Sequence, residues 1–292
     1  MKNILKSFFL ITLVISFFSC DDNDGSNSFV EEELGWVQFM QNSDALIQIN
    51  QGFADEIVLD LNIQVPNTSS DLTVKYDLVS ISGLNPNTVY GTSTVVPAGV
   101  TSWSGPDNNT GINYANLGNI TFNLLQLPAL TEPMEFDVVL TGTSLSTVTA
   151  GVAGESFKTT QRICIGPISP STSYAGDAYS DDLGVPAGAF APYTVNLVPV
   201  AGETNMWTLD STWGPDFVNA LCGGCVPPGS FPYPSTISIE DDGSVLVTGA
   251  AGYATGGTGT YNGCTDTFVL NISQGLFTGT FTVDVVLTGN GD

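Results

Sequence analysis

Besides Cys20, four cysteines and a scatter of acids are the residues best equipped for chemistry, and their spacing decides between metal, redox and structural roles. Cys222-Gly-Gly-Cys225 has the spacing of a zinc half-site or a dithiol redox motif, while Cys164 and Cys264 stand far apart in the chain. A zinc ribbon needs a second close pair, and a redox dithiol opens a helix in a βαβ unit. Neither context is present, and in an exported chain an even count favours disulfides. Of the three possible pairings, the expected one joins Cys222 to Cys225 as a loop staple. Cys164 and Cys264 then clasp the first strand of the second domain to a late one. Histidine is absent, which removes Ser-His-Asp and Cys-His nucleophiles and histidine-held metals. Carboxylate pairs of the glycosidase kind remain, with Asp210 and Asp216 as the pair lying among aromatic residues. Asp177, Asp181 and Asp182 have no EF-hand spacing and read as solvated acids. No cofactor and no metal are expected, and the chain is not expected to be an enzyme.

The elements that must position any site begin after an N-terminal leader. Lys2 and Lys6 precede an apolar run from Leu10 to Phe18 that ends at Ser19-Cys20. That run is shorter than the roughly 20 residues a membrane-spanning helix needs, and its pattern is that of a secretory signal peptide, residues 1–19. The cut site resembles the lipobox of bacterial lipoproteins in the loose form common in Bacteroidota. The resemblance implies that Cys20 becomes the acylated first residue and anchors the chain in the outer membrane. Asp21, Asp22 and Asp24 resemble the acidic signal that sends such lipoproteins to the extracellular side. Residues 20–34 then form an acidic tether without a packed core.

Removal of the leader leaves Lys75, Lys158 and Arg162 against 29 acids, 3 − 29 = −26 in formal charge. Phosphate binding requires clustered Lys and Arg, so nucleic acid is excluded as a partner. The remaining composition, rich in Gly, Thr, Ser and Asn, favours strands and turns.

From Gly35 the chain reads as short strands divided by turns, an all-β protein. Ile57, Leu59, Leu61, Ile63 and Val65 alternate with polar positions as in a half-buried strand. Residues 35–162 form the first domain, an antiparallel sandwich. Its pieces "GWVQF", "DLTVKYDLVSISG", "STVVPAGVTSW" and "EFDVVLTGTS" resemble the Ig-like Calx-β domain. That family's calcium sites use loop acids, and the acid expected near "VYGTS" is missing, so no calcium site follows. Residues 163–292 form a second antiparallel sandwich or barrel-like domain, with a hairpin at Asp241-Asp242-Gly243. Pro167 and Pro170 mark the seam. "YAGDAY", "MWTLDSTWGPDF", "ISIEDDGSVLVTG" and "GTGTYNGCTDTFVLNI" resemble the C-terminal β domain of Bacteroidota lipoproteins encoded beside nutrient importers. The SusE-like accessory lipoproteins of glycan importers share this plan.

That resemblance implies a non-catalytic surface protein that binds a glycan or docks on a TonB-dependent transporter. A structural or adhesive layer component and a carboxylate glycosidase are the alternatives. The segment "FVNALCGGCVPPGSFPYPS" places Phe231 and Tyr233 among four prolines behind a cysteine pair. Proline and a disulfide stiffen a loop, and a stiff loop displaying aromatics suits sugar or peptide contact. Phe231 and Tyr233, with Trp213 beside them, are therefore the expected contact surface. Asp210-Ser211-Thr212 resembles the short O-glycosylation site of Bacteroidota, with Ser211 as acceptor.

Overall fold

The computed structural model describes residues 35–40, 45–65, 67–68, 70–100, 115–151 and 158–291. Cys20, Asp21, Asp22 and Asp24 lie outside the described residues. Two separate apolar cores organise the rest.

The first module runs through β1 (Gly35–Phe39), β2 (Ile47–Asn50), β3 (Glu56–Gln64), β4 (Asn67–Thr68), β5 (Leu72–Ser82) and β6 (Tyr90–Ser93). It continues through β7 (Val95–Val96), β8 (Gly99–Val100), β9 (Ala115–Asn123), β10 (Met134–Thr143), β11 (Val148–Ala150) and β12 (Thr160–Gly166). Two five-stranded sheets, ordered β11-β1-β3-β9-β6 and β2-β12-β10-β5-β7, face each other across one core. Strand alternation makes this possible: Ile57, Leu59, Leu61 and Ile63 point inward from β3 while Val58 and Asp60 face water. They meet Phe136, Val138 and Ile163 of the other sheet in that core. Each such side chain, fully buried, contributes about 1.5–3 kcal/mol. The sheets are not wholly antiparallel as expected, since β1 pairs parallel with β11 and β2 parallel with β12. The chain passes from β1, which lies between β11 and β3 in one sheet, to β2, which forms an edge of the other.

The second module runs through β13 (Ser173–Tyr179), β14 (Tyr193–Asn196), β15 (Val198–Pro199), β16 (Met206–Leu209) and β17 (Ser235–Ile239). Then come β18 (Ser244–Gly249), β19 (Ala254–Asn262), β20 (Thr267–Gln274) and β21 (Thr282–Gly289). Their order in the sheet is β14-β13-β21-β20-β19-β18-β17-β16-β15. The two edge members, β14 and β15, are separated only by Leu197, so they are one continuous segment. Its first half pairs with β13 and its second half with β16. The sheet therefore closes on itself as an up-and-down barrel, which removes its exposed edges. The interior is filled by side chains such as Phe268, Leu270, Ile272, Val283, Val285 and Leu287, all buried. Gly259 faces inward where a Cβ would come within 2.7 Å of a Leu270 methyl.

Meander topology sorts the connections by pole. Tight turns at 200–205, 240–243 and 263–266 sit at one end, and the long segments 180–192 and 210–234 at the other. The first module covers the tight-turn pole. Asn50 donates to the Tyr261 carbonyl at 2.6 Å and accepts from Gly263 N at 2.6 Å, and Asn262 donates to Gln48 at 2.9 Å. Phe53 and Ile168 pack onto the barrel core.

The Cys164–Cys264 disulfide lies at this junction. Sequence reasoning put Cys164 in the first strand of the second domain, with a boundary at 163. In the structure Ile163 and Ile165 belong to the first core. Cys164, between them on β12, faces the other way and reaches the turn between β19 and β20. The bond thus joins the two modules rather than two strands of one, and the chain crosses between cores at residues 167–172.

A buried network braces the same pole. The Tyr174 hydroxyl donates to the Asp266 carboxylate, and the Tyr261 hydroxyl donates to the same oxygen at 3.1 Å. Burial first, and the neighbouring carboxylate second, hold both phenols protonated far above their ordinary value of 10.0. A folded-state value above the unfolded one gives stability that is intact below about pH 10 and is lost as pH rises beyond it. With no histidine in the chain, urea midpoints should be flat from pH 6 to 9 and fall steeply above pH 10. A midpoint that declines between pH 6 and 9 would contradict this network.

Candidate functional site

A cavity of about 280 Å³ opens at the long-loop pole of the barrel. Its walls come from the segment leading into β14, which supplies Phe190, from Tyr193 at the start of β14, and from the segment after β16, which supplies Trp213, Asp216, Phe217 and Asn219. These two connections share a pole because a meander returns to the same end every second turn. Pro192 and Pro215 stiffen the two walls.

Tyr193 is held by its surroundings. A Cβ on Gly176 would sit 2.3 Å from its ring, and one on Gly214 would sit 2.6 Å from it, so both positions require glycine for the ring to lie there. Gly214 also has φ +80°, a conformation that L side chains rarely adopt. The Tyr193 hydroxyl donates to the Thr212 carbonyl. Burial, with Asp177 nearby, raises its pKa well beyond the usual phenol range.

The other rings brace one another. Phe190 meets Phe217 edge-on with centroids 5.7 Å apart, and Phe217 stacks on Trp213 at 5.2 Å. Trp213 then contacts Tyr233 at 4.8 Å and Tyr253 at 6.5 Å. Phe217 opens the short helix α1 (Phe217–Leu221), and the Cys222–Cys225 disulfide closes the turn that follows. Asp216 precedes α1 but its carboxylate caps no helix amide.

The expected contact surface of Phe231, Tyr233 and Trp213 is corrected by these positions. Tyr233 is fully buried. Its hydroxyl donates to Ser273 O at 2.7 Å and accepts from Gly256 N at 2.8 Å, tying the segment to the barrel rim. Phe231 is half-buried and lies edge-on to Tyr253 at 6.1 Å. Trp213 is 1% exposed, donates its indole N–H to Phe231 O at 2.9 Å, and forms the floor of the cavity rather than a platform. The prolines that suggested a displayed loop instead fold it back over the barrel's open end.

Ser211 is likewise buried. Its hydroxyl donates to Gly214 O at 2.8 Å and accepts from Tyr233 N at 3.1 Å, so the folded chain does not present it for glycosylation. Of the two acids considered as a catalytic pair, Asp216 lines the cavity and Asp210 does not. Asp177 and Asp182 staple loops, accepting from Gly188 N at 2.9 Å and Thr282 N at 2.8 Å. Trp207 is half-buried and packs against the barrel core.

Sequence reasoning passed over Phe190, Tyr193 and Phe217. The available signal was the pairing of aromatic residues with proline in both long connections, Phe190-Ala-Pro-Tyr193 and Trp213-Gly-Pro-Asp-Phe217.

No family model matches the chain, and no curated protein matches it. Among solved structures, the CBD12 region of CALX1.2 superposes with a TM-score of 0.30 at 7% identity, covering 60% of this chain and 79% of that one. A protein from Bacteroides ovatus, provisionally named as carbohydrate-binding, superposes with a TM-score of 0.27 at 13% identity, covering 73% and 67%. Both superpositions are too loose to transfer a fold or a site.

Proposed function

We infer that the chain is a non-catalytic surface protein, held at the outer membrane by lipid on Cys20, that binds a glycan at the mouth of its barrel. The observation that carries this reading is the cavity: a concave, aromatic-walled site with a few polar groups is the usual form of a small-ligand site. Its size suits a sugar ring or two. A glycosidase would need two carboxylates flanking the bond, and Asp216 is the acid on this wall.

The placement of the modules supports the same reading. Trp36 in β1 pairs with Gln64, at the end of β3 remote from the junction with the barrel. A tether leading into Gly35 therefore joins the first module at its far pole. With a rise of about 3.3 Å per strand residue, each module spans roughly 25 Å, so the mouth stands roughly 50 Å from the tether. Such a spacer holds the site clear of a membrane, in reach of a glycan or of a transporter that receives one.

Two experiments test this. Cys20→Ala should move the protein from the outer-membrane fraction to the soluble one, and unchanged sedimentation would end the lipid-anchor reading. Phe190→Ala removes a half-buried wall residue at small cost to folding. On a glycan array it should lose the parent's signals by about tenfold or more while melting within a few degrees of it. Equal array binding by the variant would place recognition elsewhere.

A further inference from the structure

The geometry points to an ammonium-bearing ligand, such as a sugar unit with a free amine, as what the barrel mouth takes. This rests on the reading of the mouth as the binding site and adds the charge of its ligand. Three of the cavity's lining residues carry side-chain hydrogen-bond donors: Tyr193 and Trp213 have theirs engaged, and Asn219 has one of its two amide N–H groups engaged. The Tyr193 hydroxyl donates to Thr212 O, the Trp213 N–H to Phe231 O, and the Asn219 amide N–H to Val226 O. The charged group on the cavity lining is the carboxylate of Asp216, an exposed residue at its edge. Asp216 caps no amide and has no ion-pair partner among the described residues. Lys75, Lys158 and Arg162 all belong to the first module, so the barrel has no basic side chain to neutralise it.

Aromatic walls complete the arrangement. The rings of Phe190 and Phe217 stand at 89° to each other, and Tyr193 lines the same cavity. Ring faces and a carboxylate on one cavity lining each attract a cation and repel an anion. An uncharged hydroxyl group would gain much less from either feature. The strongly negative field of the mature chain adds to the attraction.

The test is titration calorimetry of the full mature chain, without the lipid, against three tetrasaccharides at about 150 mM salt. One is β-1,4-linked glucosamine with free amines, one its N-acetylated form, and one the glucose equivalent. The amine-bearing tetramer should bind about tenfold or more tightly than the other two. Its binding should fall about tenfold in both Asp216→Asn and Phe190→Ala, with melting temperatures close to the parent's. Neutral tetramers that bind equally well would overturn the ammonium inference and leave the mouth as a glycan site. Amine binding that persists in both variants would show general attraction to an acidic surface and overturn the inference too. Failure of all three tetramers to bind would count against the inference and against the mouth as a glycan site together.

Discussion

Trp213→Ala should destabilise the barrel by about 3–5 kcal/mol, the cost typical of emptying a buried tryptophan site. The side chain is 1% exposed and touches Phe217, Tyr233 and Tyr253, and its N–H holds Phe231 O. Removing it opens the cavity floor and leaves a carbonyl without its donor. For a module of this size the loss corresponds to a fall of roughly 10–20 °C in Tm. Against a typical total of about 5–15 kcal/mol, that is a large share. Phe231→Ala, on a half-buried ring, should cost a fraction of this. If Trp213 were instead a displayed contact residue, its replacement would shift Tm by no more than a degree or two. Calorimetric melting of the two variants side by side separates the cases.

Asp266→Ala should be comparably damaging at the opposite pole. The carboxylate accepts from both Tyr174 and Tyr261. Stranding a buried hydroxyl costs about 1–3 kcal/mol each. The backbone adds to this, because Asp266 has φ 47°, where alanine is less comfortable than Asp or Asn. The combined loss should be about 3–6 kcal/mol by urea unfolding. Asp266→Asn keeps an oxygen acceptor and the tolerated backbone, so it should cost less than half as much. Equal loss in the two variants would show that charge, rather than hydrogen bonding to the phenols, is what the position contributes.

Much of the strand content was legible because alternation is a local property. Ile57 to Val65 and Phe268 to Ile272 announce one buried face each, and Asp242-Gly243 marks the β17–β18 hairpin, with Gly243 at φ +84°. Closure of the barrel was not legible. "YTVNLVPV" reads as one strand, and nothing local says that Tyr193–Asn196 and Val198–Pro199 pair with opposite neighbours. The direction in which Cys164 points was hidden for a related reason. Pro167 and Pro170 advertise a break, but the strand before them still belongs to the first core.

The cavity was half legible. Trp213 and the cysteine-stapled turn drew notice through their residue types, yet burial is a tertiary property, and Tyr233 looked like a displayed ring because prolines surround it. Phe190 and Phe217 became neighbours only when two connections far apart in sequence met at one pole. Counting alternate turns of a meander would have put them there.

The central claim is that ligand enters at the long-loop pole of the barrel. Hydrogen–deuterium exchange on the full mature chain, with and without saturating glucosamine tetramer, tests it most directly. Protection should appear in residues 188–193 and 213–220 and leave the first module and the turns at 240–243 and 263–266 unchanged. Protection confined to the first module, or to those turns, would contradict the claim.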